Sequence, residues 1–142
     1  LGDVYKRQMS FYLKKEGFSG MANWMRKQSA KEVGHACTIA EYMVKREATP
    51  KVDKVDVVPQ GWGNSLEVFE HALEHEKHIS KLIDELVYLA SEEKDNATQD
   101  FLWKFVREQV EEEAGVQNIV NLLKKAGDSG ILFIDAKLDG CK

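Results

Sequence analysis

Proline and cysteine are scarce, long apolar runs are absent, and each shortage excludes something. The two prolines, Pro50 and Pro59, both fall between Ala48 and Asn64, so no proline interrupts a helix elsewhere. The two cysteines, Cys37 and Cys141, stand far apart without the spacing of a metal site or a redox pair. Both are expected to be reduced, which suits a cytoplasmic chain. No apolar run reaches the ~18 residues that a membrane span needs, so no membrane partner is expected. Excess positive charge is missing too. A net charge of −4 and a pI near 5.6 argue against nucleic acid as a main partner. The acidic balance would suit cation uptake, although ordinary solubility is the plainer reading. There is no initiator Met. The opening Leu1-Gly2-Asp3-Val4-Tyr5-Lys6-Arg7 has neither the apolar core nor the cleavage site of a signal peptide. It reads as a fragment end or a foreign junction, joined to genuine sequence near Gln8.

What is present is helical periodicity. With 142 residues and 43% apolar content, the chain can form a single domain, 1–142, around one sizeable core. Tyr5, Met9, Tyr12 and Leu13 share one helical face, and Gly17 closes that run. Ser19 is expected to cap a second helix reaching about Arg46, with Met21, Trp24, Met25, Ile39, Tyr42 and Met43 inward. From Ala48 to Asn64 prolines, glycines and alternating valines predict an extended connection. Such a stretch reaches at most roughly 56 Å, against about 40 Å for the helix before it. It can therefore run the length of a bundle, which is the long-crossover topology. Ser65 is expected to cap a third helix to about Lys94, with Leu66, Phe69, Leu73, Ile83, Val87 and Ala90 inward. A fourth runs from about Ala97 to Ala126 on Leu102, Phe105, Val116, Ile119 and Leu123, and a short fifth spans Ile131 to Leu138. The predicted fold is all-α, a four-helix bundle with a long crossover between the second and third helices and a short C-terminal fifth helix.

The apolar stripes are interrupted at three places. Following the second helix by threes and fours gives Gln28, Glu32 and His35; the third gives Glu76; the fourth gives Gln109 and Glu112. A buried carboxylate costs several kcal/mol unless something neutralises it, and a core that collects them often holds a cation. Glu32 and His35, one turn apart, can bind one ion while the carboxylate bridges to another. Oxygen-rich ligation with few imidazoles and no thiolate suits iron or manganese better than structural zinc. Glu108 and Glu111 could add a further oxygen site, or belong to a plain charged face. His71, His75 and His78 read as solvated or interface residues, Met21, Met25 and Met43 as core fillers, and Trp62 as a loop plug.

At this point the residues match a family. Gln8-Met9-Ser10-Phe11-Tyr12, Phe18-Ser19-Gly20, Glu32-Val33-Gly34-His35, Val57-Val58-Pro59 and His75-Glu76 resemble bacterial non-haem ferritins. So do Thr98 to Trp103, Glu108-Gln109-Val110-Glu111-Glu112-Glu113 and Phe133-Ile134-Asp135, and the similarity covers almost everything from Gln8 onward. The resemblance implies a ferritin-like fold and a ferroxidase that oxidises iron(II) with dioxygen or peroxide inside a 24-subunit homo-oligomeric shell storing the ferric mineral. It implies that Glu32 bridges two irons, that His35 binds the first and that Glu76 and Glu112 bind the second. Gln109 would orient oxygen or water, and Glu108 and Glu111 would help form a third iron site. The fourth-helix motif Gln109-x-x-Glu112, not a second Glu-x-x-His, points away from haem-containing bacterioferritins and from DNA-protecting mini-ferritins.

The chain departs from the family pattern near its start. The family's first-helix Glu ligand would fall just before Leu1, its first-helix Tyr aligns with Lys6, and an often acidic position is Lys31. Asp3 is at best a poorly placed substitute. Two further readings follow: a truncated ferritin-like module that takes up one metal without efficient turnover, and a four-helix interaction protein whose buried Glu and His satisfy one another.

Overall fold

A computed structural model describes residues 2–140 as five helices with no strand among them: α1 (Gly2–Lys15), α2 (Ser19–Lys45), α3 (Ser65–Glu92), α4 (Asn96–Lys125) and α5 (Asp128–Asp139). Cys141 lies outside the described residues, while Cys37 is exposed and free. The contacts divide the chain into two compact units, Leu1–Gly63 with Gly127–Lys142, and Asn64–Ala126.

In the first unit α1 and α2 form a hairpin and α5 docks on α2. The turn between α1 and α2 follows from one glycine. Gly17 has φ +92°, Phe18 N–H donates to Leu13 O at 2.9 Å and Gly17 N–H to Lys14 O at 3.1 Å. This is the Schellman pairing that satisfies the last carbonyls of a helix. Met9, Leu13, Met21 and Met25 are buried at 2% exposure or less, as their spacing predicts. Ile39, expected on the same face, is 38% exposed.

Ser19 does not cap α2. Phe18 holds the N-cap position without a side-chain bond, and the orphan N–H of Met21 donates instead to Asp135 Oδ1 of α5 at 2.8 Å. A second link runs from Asn23 Nδ2 to Asp139 Oδ1 at 2.7 Å. The helices touch closely because residue 20 is glycine: a Cβ there would stand 1.8 Å from the carbonyl oxygen of Asp135. The cap is thus supplied by a segment more than a hundred residues away, which local sequence does not reveal.

The connection Ala48–Asn64 contains neither helix nor strand, and Val52 and Val57 are fully or nearly fully exposed. Its end is tied down. Trp62, 7% exposed, meets the Tyr12 ring edge-on at 5.8 Å, and Tyr12 Oη donates to Gly63 O at 2.5 Å. The expected plug is therefore a strap onto α1.

The second unit is the α3–α4 hairpin. Asn64, not Ser65, caps α3, accepting from Glu67 N at 2.9 Å; the extended Asn64 backbone leaves its side chain free to reach forward. Asp95 caps α4 through Thr98 N at 3.1 Å, and its other oxygen accepts from Thr98 Oγ1 at 2.7 Å. Val68, Phe69, Ala72, Leu73 and Ala90 of α3 are buried, as are Leu102, Phe105, Val116, Ile119, Val120 and Leu123 of α4. That spacing by threes and fours is a core-facing helical stripe.

Candidate metal centre

The polar residues of the stripes occupy two places, one in each unit. On α2, Gln28 is buried, and Glu32 and His35 are half-buried one turn apart. Glu32 is engaged: Lys6 Nζ stands 2.6 Å from Glu32 Oε1, with the lysine 2% and the glutamate 19% exposed. Lys6 falls three and seven residues before Met9 and Leu13, on the buried face of α1, so its ammonium has little access to water. Such a charge is tolerated only against a partner of opposite sign. Asp3, the candidate substitute ligand, pairs with Arg7 at 2.5 Å, while its carbonyl accepts from Ser29 Oγ at 2.8 Å.

On the α3–α4 hairpin, Glu76 is 1% and Gln109 6% exposed. They meet directly. Gln109 Nε2 donates to Glu76 Oε2 at 2.9 Å and to the Glu76 carbonyl at 3.0 Å. The same nitrogen lies 3.2 Å from Ser80 Oγ, and Ser80 Oγ donates to Glu113 Oε1 at 2.5 Å. Each helix contributes two positions four apart, Glu76 with Ser80 and Gln109 with Glu113, so the bonds close as rungs between adjacent turns. Glu112 and Glu108 are half-buried on α4 and Glu111 is exposed.

The structure therefore brings Glu76 and Gln109 together as their stripe positions predict, and sets Glu32 and His35 on one face of α2. Among the described residues, no group of three or more His, Cys, Asp or Glu side chains stands close enough to hold a metal ion. His71 is exposed, 3.9 Å from Glu74, and His78 is exposed; both are solvated, as expected, whereas His75 is half-buried. Sequence reasoning missed three participants. Lys6 announced itself as a charged residue on an apolar stripe, and Ser80 and Glu113 as polar residues one turn beyond Glu76 and Gln109.

The candidate residues offer carboxylate oxygens and one imidazole but no thiolate, a set of donor types that suits hard, redox-active cations. Beside Ser80, Gln109 and Glu113 a groove of about 480 Å³ runs along the hairpin, walled by Leu73, Ile83 and Val110. No described helix is long and apolar enough to cross a membrane.

Comparison with known proteins gives the same direction. The Ferritin-like domain family matches residues 4–126. The chain is 65% identical over 130 residues to the bacterial non-heme ferritin of Bacteroides fragilis (strain 638R), covering 92% of this chain and 82% of that protein. It is 31% identical over 134 residues to the bacterial non-heme ferritin of Escherichia coli O157:H7, covering 93% and 81%. Its fold matches an open pore ferritin from the hyperthermophilic archaeon Archaeoglobus fulgidus, with TM-score 0.96 and 37% identity over 99% of this chain and 87% of that one. Composition, fold and relatives converge, and the chain belongs to the ferritin family, among the bacterial non-haem ferritins.

Proposed function

We infer that this chain, as one ferritin-like domain, stores iron and oxidises iron(II) to iron(III) with dioxygen or peroxide at a di-iron ferroxidase centre. Glu32, His35, Glu76, Glu112 and Gln109 form that centre, with Glu32 as the bridging carboxylate. Glu108 and Glu111 help form a third iron site. The protein works in the cytoplasm without haem, and a 24-subunit shell of identical chains holds the ferric mineral. The observation that carries the reading is Glu76, a carboxylate at 1% exposure on an apolar stripe. Its hydrogen bond from Gln109 orients it through a neutral amide, and family membership supports iron as the cation it takes up. Two iron(II) ions give up one electron each, and dioxygen that takes both electrons with two protons leaves as hydrogen peroxide. The protein's part is ligand geometry and a preorganised polar site.

The Lys6–Glu32 pair favours a second reading, a metal-binding module in which the α2 ligands are held by the chain's own ammonium and turnover is impaired. Anaerobic iron(II) titration followed by oxygen addition separates the two. About two irons per subunit with rapid oxidation supports the ferroxidase, whereas one iron or fewer, oxidised slowly, supports the module. Glu112→Ala should abolish occupancy of the second iron site, and an unchanged anomalous iron signal there would refute its assignment.

A further inference from the structure

The hydrogen bonds behind Gln109 have a direction, which Glu76 requires and which two residues outside the centre reinforce. A glutamine amide can present either its oxygen or its nitrogen to a neighbour, and only the nitrogen is compatible with a carboxylate acceptor. Gln109 presents Nε2 to Glu76 Oε2 at 2.9 Å, to the Glu76 carbonyl at 3.0 Å and to Ser80 Oγ at 3.2 Å, so its two N–H groups are shared among three acceptors. Ser80 owns one proton. Two acceptors compete for it, the Glu76 carbonyl at 3.1 Å and Glu113 Oε1 at 2.5 Å, and the short bond to a carboxylate is the stronger. With its proton committed to Glu113, Ser80 can only accept from Gln109, so the amide must turn its nitrogen toward it. A flipped amide would place Gln109 Oε1 against both the Glu76 carboxylate and the Glu76 carbonyl.

We propose that Ser80 and Glu113 are positioning residues that lock the Gln109 amide with its nitrogen toward Glu76 and thereby fix the orientation in which Glu76 receives a metal ion. Neither residue touches the metal. Glu113 sets the proton direction of Ser80, Ser80 sets the rotamer of Gln109, and Gln109 holds one oxygen of Glu76. The three links lie within the α3–α4 hairpin, on the wall of the groove described above. The proposal rests on the reading of Glu76 and Gln109 as part of the iron centre, and its test must fail separately from that reading.

The test uses cobalt(II), which binds without being oxidised by air at such sites and reports its ligand geometry through visible absorption. The full chain and its Ser80→Ala, Ser80→Thr, Glu113→Gln and Glu76→Ala variants are titrated, with thermal melting measured on each. Partners that orient a ligand typically change metal affinity by about ten- to a hundredfold when removed. Ser80→Ala is expected to weaken cobalt(II) binding by about that factor and to alter its absorption bands. Ser80→Thr, which keeps the hydroxyl, is expected to restore both. Glu113→Gln offers a donor as well as an acceptor, releases the proton direction, and is expected to fall between. If Ser80→Ala and Glu113→Gln keep the affinity and bands of the parent while Glu76→Ala loses them, the positioning role is overturned and the centre stands. If Glu76→Ala also binds as the parent does, the reading of the centre falls, and the proposal with it. Should Ser80→Ala fail to fold, Glu113→Gln and Ser80→Thr carry the same comparison.

Discussion

Replacing Lys6 by Met removes a buried ammonium while keeping most of its length, and it tests whether the protein's own cation stands where a metal would bind. At 2.6 Å and an effective dielectric near 20, the pair attraction is about 6 kcal/mol. Desolvation offsets most of it, leaving a net of roughly 1.5–3 kcal/mol for a charge-assisted hydrogen bond. A metal ion that recruits Glu32 must break that bond and approach a positive charge. Lys6→Met should therefore raise metal affinity at Glu32 and His35 by roughly ten- to a hundredfold. The same change leaves a carboxylate without its cation, and breaking a fully buried pair costs roughly 3–5 kcal/mol. Because Glu32 retains 19% exposure, the loss should be nearer 2 kcal/mol, seen as a melting temperature lower by roughly 5–10 °C. The diagnostic pattern is a crossing. Without metal the variant melts below the parent, and with saturating cobalt(II) the gap closes or reverses. Metal-free and metal-loaded calorimetry of both proteins reads it, and a gap that metal leaves unchanged would refute the competition.

Two other perturbations address the fold. Gly20→Ala drives a methyl group into the backbone of Asp135, where the available distance is 1.8 Å. It should cost about 2–3 kcal/mol and speed amide exchange in α5 while leaving α3 and α4 protected; unchanged exchange over Ile131–Leu138 would show that the contact is not tight. Lys94 ends α3 at φ 55°, a left-handed conformation that costs a side-chain-bearing residue about 1–2 kcal/mol. Lys94→Gly should raise the urea midpoint by an amount worth about 1 kcal/mol, and a lowered midpoint would contradict that account.

The sequence made the helices legible because long amphipathic stripes are a strong and redundant signal. Every apolar residue predicted for α4 is buried, and the polar interruptions Glu76 and Gln109 are among the buried polar side chains. What was misread depends on a partner distant in the chain or on one residue of offset. Ser19 and Ser65 are both plausible caps by type, yet the α2 N-terminus is satisfied by Asp135 and α3 by Asn64 one residue earlier. Ile39 lies on the apolar face of α2 but stays exposed, because periodicity gives the direction of a side chain and not what it meets. At the centre, ligand-type residues stand out by chemistry, whereas Ser80 and Glu113 look like ordinary solvated side chains until α3 and α4 are placed side by side.

The two units solve one electrostatic problem in different ways. A carboxylate removed from water must be met by a positive charge or by donors. Glu32 has the Lys6 ammonium, whereas Glu76, more deeply buried, accepts from the Gln109 amide. An ammonium opposes an arriving metal ion by charge. An amide nitrogen carries only a dipole, so it can hold a carboxylate in place and still leave it attractive to a cation. The difference is one of sign and not of strength. The Lys6 substitution therefore asks whether α2 takes up a metal ion more readily once its built-in charge is taken away.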